Sequence, residues 1–434
     1  MTIPVRRWSD LTTEERHSLF QRSEQDIAEV APAVEAIIKD VRTRGDSALK
    51  DYARRFDGAD LSGKGLRVTP EEFEKAERLL PQAVKEALHY AIKNIQTYHQ
   101  GQKPVGMTWV EVRPGLMAGE RPSPIESVGM YVPRGRGSFP SMVYMQAVPA
   151  ALAGVERIVM VSPPLADGTI DPACLYAAQL CGVHEFYKVG GAQAIAALAW
   201  GTESITPVVK ITGPGSRYVA AAKRLVSDKV DIGLPAGPSE AAILADDTAL
   251  PWKLALDLMV EAEHGSDSAV ILVTNSPELA RQTAQYVGAL AEGLEEPRKT
   301  FVRDVFSGYG AILVCDSIEE GASIVNQFAP EHLSIQTAEP FATLNLIRNA
   351  SEILLGENLP FSAANYAGGP NAILPTGGKA KTFGPLGVRD FMKTSSVIFA
   401  TGQAYDELKL PVTTLADYEG FITHADAFRK RGEH

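Results

Sequence analysis

From about residue 125 the chain alternates short apolar runs with amphipathic ones, and this alternation limits its fold more than any other feature. "SVGMYVP" reads as a strand, "SMVYMQAVPAALAG" as a helix and "ERIVMVSPP" as a strand; "DPACLYAAQLCGV", "EFYKVGG" and "AQAIAALAWG" continue as helix, strand and helix. A second run follows in "AAILADD", "PWKLALDLMVEAEHG", "SAVILVTNS", "PELARQTAQYVGALAEGL" and "GAILVCDS". Short apolar strands separated by helices of this length predict an α/β fold whose parallel sheets are covered on both faces.

The flanks differ. The first hundred residues read as helical: one helix opens on the cap candidate Ser23 and closes at Asp57-Gly58, and Thr69-Pro70-Glu71-Glu72 is a helix-start signature. "GMTWVEVRPGLMAGERPSPIESVGMYVP" is β-prone and punctuated by Gly and Pro, and the last fifty residues, from "GVRDFMKTSSVIFA", end in a polar helix-like tail, "HADAFRKRGEH". At 434 residues the chain is long for a single core. Its net charge of −11 leaves no basic excess to neutralise phosphates, so no nucleic-acid partner is expected. The apolar stretch "MVYMQAVPAALAGV" breaks at Gln146 and Pro149, and the amino terminus lacks an apolar signal-peptide core. Cys174, Cys181 and Cys315 have neither metal-type spacing nor a disulfide pattern. The expectation is a soluble cytoplasmic protein with no membrane partner.

Several short segments could carry chemistry. "NQFAPEHLS" sets the carboxylate of Glu331 beside the imidazole of His332. Such a pair can relay protons near neutral pH, although in isolation a capping Glu and a packed His explain it as well. "KVGGAQA" and "KITGPGSRYV" follow strands, where backbone N–H groups could cradle a dinucleotide pyrophosphate; tight-turn glycine is the commoner explanation. In "EAEHG", Glu261 and His264 lie three apart on an expected helix, which puts both on one face at ligand spacing, and a distant His424 could complete a metal site. Most such pairs are merely solvated.

In order and combination, "GMYVPRG", "VGGAQAIAALAWGTE", "KITGPGSRYV", "LPAGPSEAAILAD", "EAEHGSDS", "FAPEHL", "AGGPNAILPTGG" and "THADAF" resemble the histidinol dehydrogenase family over nearly the whole chain. The resemblance implies two incomplete Rossmann-like α/β domains with helical N- and C-terminal arms, intertwined in a homodimer. It divides the chain into an N-terminal helical arm (1–30), a first α/β domain with the catalytic residues (31–124 plus 238–382), a second, NAD-binding α/β domain (125–237) and a C-terminal arm reaching the partner subunit (383–434). It further implies oxidation of a primary alcohol to a carboxylate in two NAD-dependent steps. In this scheme His332 is the general base and Glu331 activates the water that hydrates the aldehyde. Tyr131, Gln193 and Ser216 match cofactor-site positions, with Ser where the family usually has Asn, and Ser239 matches a substrate-contacting serine.

Two departures bear on the substrate. The family's zinc ligands are Gln, His, Asp and His, whereas the matching residues here are Glu261, His264, Asn365 and His424. A substrate-contacting histidine of the family is replaced by Ala372, whose methyl cannot hydrogen-bond a ligand. These changes imply a substrate other than histidinol, and the chain most resembles the sulfopropanediol-oxidising branch of the family, which implies a small anionic diol, 2,3-dihydroxypropane-1-sulfonate, oxidised to sulfolactate. They also imply an enzyme that works without zinc, in which Glu261, His264, Asn365 and His424 hydrogen-bond the substrate. If zinc is retained, the same four are its ligands and the alternative is histidinol oxidation. An inactive NAD-binding paralogue is the alternative of another class, and the intact Glu331-His332 pair speaks against it.

Overall fold

The computed structural model describes residues 1, 3–21, 27–134 and 137–431. The cap candidate Ser23, the Gly135 of "GMYVPRG" and the last three residues of the tail lie outside them. In chain order the strands are β1 (Val5–Arg7), β2 (Thr108–Arg113), β3 (Leu116–Pro124), β4 (Ser127–Tyr131), β5 (Arg157–Ser162), β6 (Glu185–Lys188) and β7 (Lys210–Thr212). They continue as β8 (Glu240–Ala245), β9 (Ala269–Thr274), β10 (Ala311–Val314), β11 (His332–Gln336), β12 (Glu352–Leu355) and β13 (Met392–Ala400). The chain forms two compact units, one of residues 1–102 and 126–391, the other of residues 103–125 and 392–434.

The larger unit is a mixed α/β structure with two parallel sheets, as the alternation predicts. Its six-stranded sheet has the order β1-β10-β9-β8-β11-β12 and its four-stranded sheet the order β6-β5-β4-β7. Every residue of β4, β8, β9, β10 and β11 is buried, which explains why β9 and β10 in particular read as nearly unbroken apolar runs in place of alternating ones, while β11 buries the polar His332, Ser334 and Gln336. Helices cover both faces of the larger sheet: Leu254 and Val287 pack on one side, Ala322 and Phe328 on the other. The four-stranded sheet shares a core with the amino-terminal helices, where Val30, Val34, Ile38 and Leu49 meet Ile195, Leu198 and Ala222.

The helical reading of the first hundred residues holds for Ile27–Arg44, Pro70–Leu79 and Gln82–Gln100, and the Thr69 cap forms with Glu72 as a reciprocal capping box; the run expected to close at Asp57-Gly58 is instead broken at Gly45 (φ 54°), before the short helix Asp46–Tyr52. It fails at Val5–Arg7, a three-residue edge strand parallel to β10. So short a strand takes its identity from its partner, and its own sequence carries no periodic signal.

The smaller unit is an antiparallel sheet, β13-β3-β2, followed by the helices Gly402–Tyr418 and Ile422–Arg429. All six residues of β2 are exposed. Large apolar side chains stand open to solvent on this unit, among them Ile398 at 72%, Leu410 at 74% and Tyr418 at 91%.

Candidate active site

The chain reaches Glu331 through a forced change of direction. The helix Ile318–Phe328 is capped by Ser317, whose Oγ accepts from the Glu320 N–H. It ends at Ala329, which adopts a left-handed conformation (φ 48°) that residues with a Cβ seldom take. Pro330 cannot continue a helix, and β11 begins two residues later. Glu331 and His332 therefore sit at the amino edge of the six-stranded sheet, both buried. A Glu331 carboxylate oxygen accepts from the Glu240 N–H at 2.9 Å, and the other lies 3.9 Å from His332 Nε2. On the ring's opposite side His332 Nδ1 is 2.7 Å from the Glu352 carboxylate. Phe361 packs against the imidazole with ring centroids 5.8 Å apart.

Burial pushes the Glu331 carboxyl well above the usual carboxylate range; Glu261 and Glu240 add to this and His332 opposes it. Burial alone would depress the His332 imidazole, but the carboxylates of Glu261, Glu331 and Glu352 outweigh it and lift the ring to about 10. A carboxylate with raised proton affinity is a stronger base than a free one, and an imidazolium formed here is stabilised from both sides.

A second chain of contacts joins Ser239, His264, Glu261 and Asn365. The helix Pro251–Ala262 presents Glu261, which is 1% exposed, and accepts a 2.7 Å hydrogen bond on Oε1 from Asn365 Nδ2. Ser239 Oγ lies 3.0 Å from His264 Nδ1. The expectation that Glu261 and His264 share a helix face needs correction. The helix stops at Ala262, Glu263 caps it, and His264 lies in the following turn, with its Nε2 3.8 Å from Glu261 Oε2. His424 belongs to the smaller unit, on the helix Ile422–Arg429, with its ring 5.0 Å from that of Phe421.

These residues can be tested against zinc. Glu261 Oε2 is buried with no hydrogen-bond partner, which would suit a cation. The Asn365 amide, however, turns its N–H toward Glu261, and the reversed amide would set oxygen against oxygen. The larger unit thus offers one carboxylate and one imidazole where a catalytic zinc takes three protein ligands. Among the described residues no group of three or more His, Cys, Asp or Glu side chains could hold a metal ion. The larger unit by itself therefore falls one ligand short of a catalytic zinc site.

The four-stranded sheet holds the other expected positions. Its strand order reverses between β4 and β7, and open parallel sheets bind ligands beyond the carboxyl ends of the strands at such a point. Tyr131 ends β4, and its hydroxyl accepts from the Gly191 N–H at 3.1 Å, while burial pushes the phenol up to about 12. After β7 the chain passes Gly213 (φ 103°), where a Cβ would come within 2.2 Å of the Tyr131 carbonyl oxygen. Glycine is required for that approach. Gln146 ties the region together, donating to the Tyr131 carbonyl and accepting from Thr212 Oγ1. Ser216 precedes the helix Arg217–Leu225 and makes no side-chain cap bond there. Gln193, near the start of the helix Gly191–Trp200, is buried and its Oε1 has no partner. An unsatisfied buried carbonyl in the first turn of a helix suits the amide or hydroxyl donors of a dinucleotide, and the helix N-terminus suits its pyrophosphate. These residues fit NAD.

Sequence reading misses Glu240, Glu352 and Gln146. The signal at Glu352 is a carboxylate opening the apolar run "EILL", unusual for a buried strand.

Comparison with known proteins gives concordant results. A sequence model described as histidinol dehydrogenase matches residues 20–432. Histidinol dehydrogenase of a Synechocystis species is 46% identical over 427 residues, covering 98% of each chain. A histidinol dehydrogenase homolog of Rhizobium meliloti is 48% identical, covering 99% of this chain and 96% of its own. The crystal structure of histidinol dehydrogenase from Elizabethkingia anophelis superposes with a TM-score of 0.94 at 34% identity, covering 99% of this chain and 98% of that one.

Proposed function

We propose that this chain, which belongs to the histidinol dehydrogenase family and is an NAD-dependent oxidoreductase, oxidises a primary alcohol through an aldehyde to a carboxylate. The buried Glu331-His332 pair carries this reading. His332 takes the hydroxyl proton at Nε2 as the carbinol carbon loses its hydride. Glu331 then takes a proton from the water that hydrates the aldehyde, and the hydrate is oxidised as the alcohol was. Tyr131, Gln193 and Ser216 would hold NAD, which would supply the hydride acceptor for both steps. Ser239, Glu261, His264, Asn365 and His424 serve the substrate. A homodimer completes the proposal, with residues 383–434 reaching the partner subunit; the exposed apolar side chains of the smaller unit support it.

For the substrate, histidinol has the better support. The named relatives are histidinol dehydrogenases or their homologs. Among the described residues no lysine or arginine pairs with Glu261, Glu331, His332 or Glu352, so the site favours a substrate that brings positive charge, such as an amino alcohol. One observation favours the sulfonated diol as a second reading: the Ala372 side chain offers no polar atom to an imidazole. Lys379 and Lys381, both exposed on a short turn, are the nearest cations in sequence to that segment. Purified protein with NAD, assayed in parallel on histidinol and 2,3-dihydroxypropane-1-sulfonate by NADH absorbance, decides between them. Turnover of histidinol alone supports the first reading, turnover of the diol alone the second, and turnover of neither overturns both.

A further inference from the structure

The pairing of β11 with β12 is parallel and sets His332 directly opposite Glu352. The backbones lock this register at the sheet edge, where the Ser351 and Glu352 N–H groups donate to the carbonyls of Pro330 and Glu331 at 3.1 and 3.0 Å. Both side chains are buried, and the Glu352 carboxylate reaches His332 Nδ1 at 2.7 Å.

We propose that Glu352 is a positioning residue for the proposed reaction, fixing the His332 ring and the proton on its Nδ1 so that Nε2 is the nitrogen that accepts the substrate proton. This rests on the reading of His332 as the base. An ionised carboxylate can only accept hydrogen bonds, so a ring nitrogen 2.7 Å from it must carry a proton. A neutral imidazole has one such proton, which leaves the lone pair on Nε2, the nitrogen on the Glu331 side. Phe361 against the ring restricts its rotation. Once Nε2 takes a proton, the same carboxylate stabilises the imidazolium. Glu352 touches neither substrate nor cofactor in this scheme and acts through His332 alone. A purely structural ion pair is a weaker explanation, because a buried pair stabilises a fold little more than apolar residues of the same volume.

The test uses Glu352→Gln, Glu352→Asp and His332→Asn in the full-length protein, with histidinol or 2,3-dihydroxypropane-1-sulfonate, whichever the wild type oxidises. A glutamine can offer an N–H to Nδ1 and favour the wrong tautomer. We expect kcat of Glu352→Gln to fall by roughly 10- to 10⁴-fold. KM, NAD affinity by fluorescence titration and the thermal midpoint should stay near wild type, and Glu352→Asp should recover most of the turnover. The wild type should also show a downfield Nδ1 proton resonance, assigned by its loss in His332→Asn and weakened in Glu352→Gln. A Glu352→Gln enzyme with kcat within about twofold of wild type would overturn the proposal. So would absence of the Nδ1 resonance from the wild type, a readout that decides the matter even if a variant does not fold or neither alcohol is turned over. Normal turnover in His332→Asn would instead remove the base reading itself.

Discussion

At His332 the chemistry reduces to where one proton sits. His332→Asn keeps a polar side chain but removes the basic ring nitrogen, so kcat should drop by about 10²–10⁴-fold while NAD still binds; turnover near wild type, measured by NADH formation, would contradict this. The base form is the deprotonated ring, and the surrounding carboxylates hold its proton to about 10. It follows that kcat/KM should rise with pH from 7 and level only near 10. A profile flat above pH 7 would show that the ring is already neutral. Glu331 and His332 are legible in the sequence because they are adjacent. Glu352 is twenty residues away and Glu240 ninety-one from Glu331, and nothing in either segment announces the register that joins them. The Asn365–Glu261 bond spans 104 residues and is equally silent.

Among the elements, the helix Pro251–Ala262 meets the carboxyl end of β11 through a buried polar contact. Asp257 accepts from Gln336 Nε2 at 2.9 Å, and burial pushes its carboxyl up to about 6. The unfolded carboxyl ionises near pH 4. The contribution of this group is therefore complete below about pH 4 and lost as pH rises through about 6, an effect on the order of 3 kcal/mol at 1.36 kcal/mol per pKa unit. Asp257→Asn should flatten that fall in denaturant titrations at pH 4, 5 and 7; a parallel pH dependence in variant and wild type would rule it out. The strand and helix alternation is legible because strands such as β9 and β10, buried on both faces, are apolar almost throughout. The sheet that each amino-terminal helix covers is not: Val34 and Ile38 pack with the four-stranded sheet, whereas the resemblance groups their segment with residues 238–382. An apolar stripe encodes burial and carries no address. β13 escapes for a related reason, since "MKTSSVIFA" acquires its strand character by pairing with β3, 270 residues away at Ser123 and Lys393.

For the whole molecule, the proposed dimer makes the carboxyl-terminal segment part of the enzyme. Truncation before Asp417 removes the helix Ile422–Arg429 with His424, and should abolish turnover and weaken association in sedimentation; a fully active truncated monomer would refute the arrangement. The family, and with it the α/β fold, is legible from motifs spread over nearly the whole chain, while the substrate is not, because it depends on the net charge of side chains that meet only in the folded protein. The most direct measurement is the ratio of NADH formed to alcohol consumed, taken on wild type and on Glu331→Gln. The wild type should give two NADH per alcohol with carboxylate as the product, and Glu331→Gln should stall near one with aldehyde accumulating. A wild-type ratio of one, or a Glu331→Gln ratio that remains two at the wild-type rate, would contradict a four-electron oxidation carried by this pair.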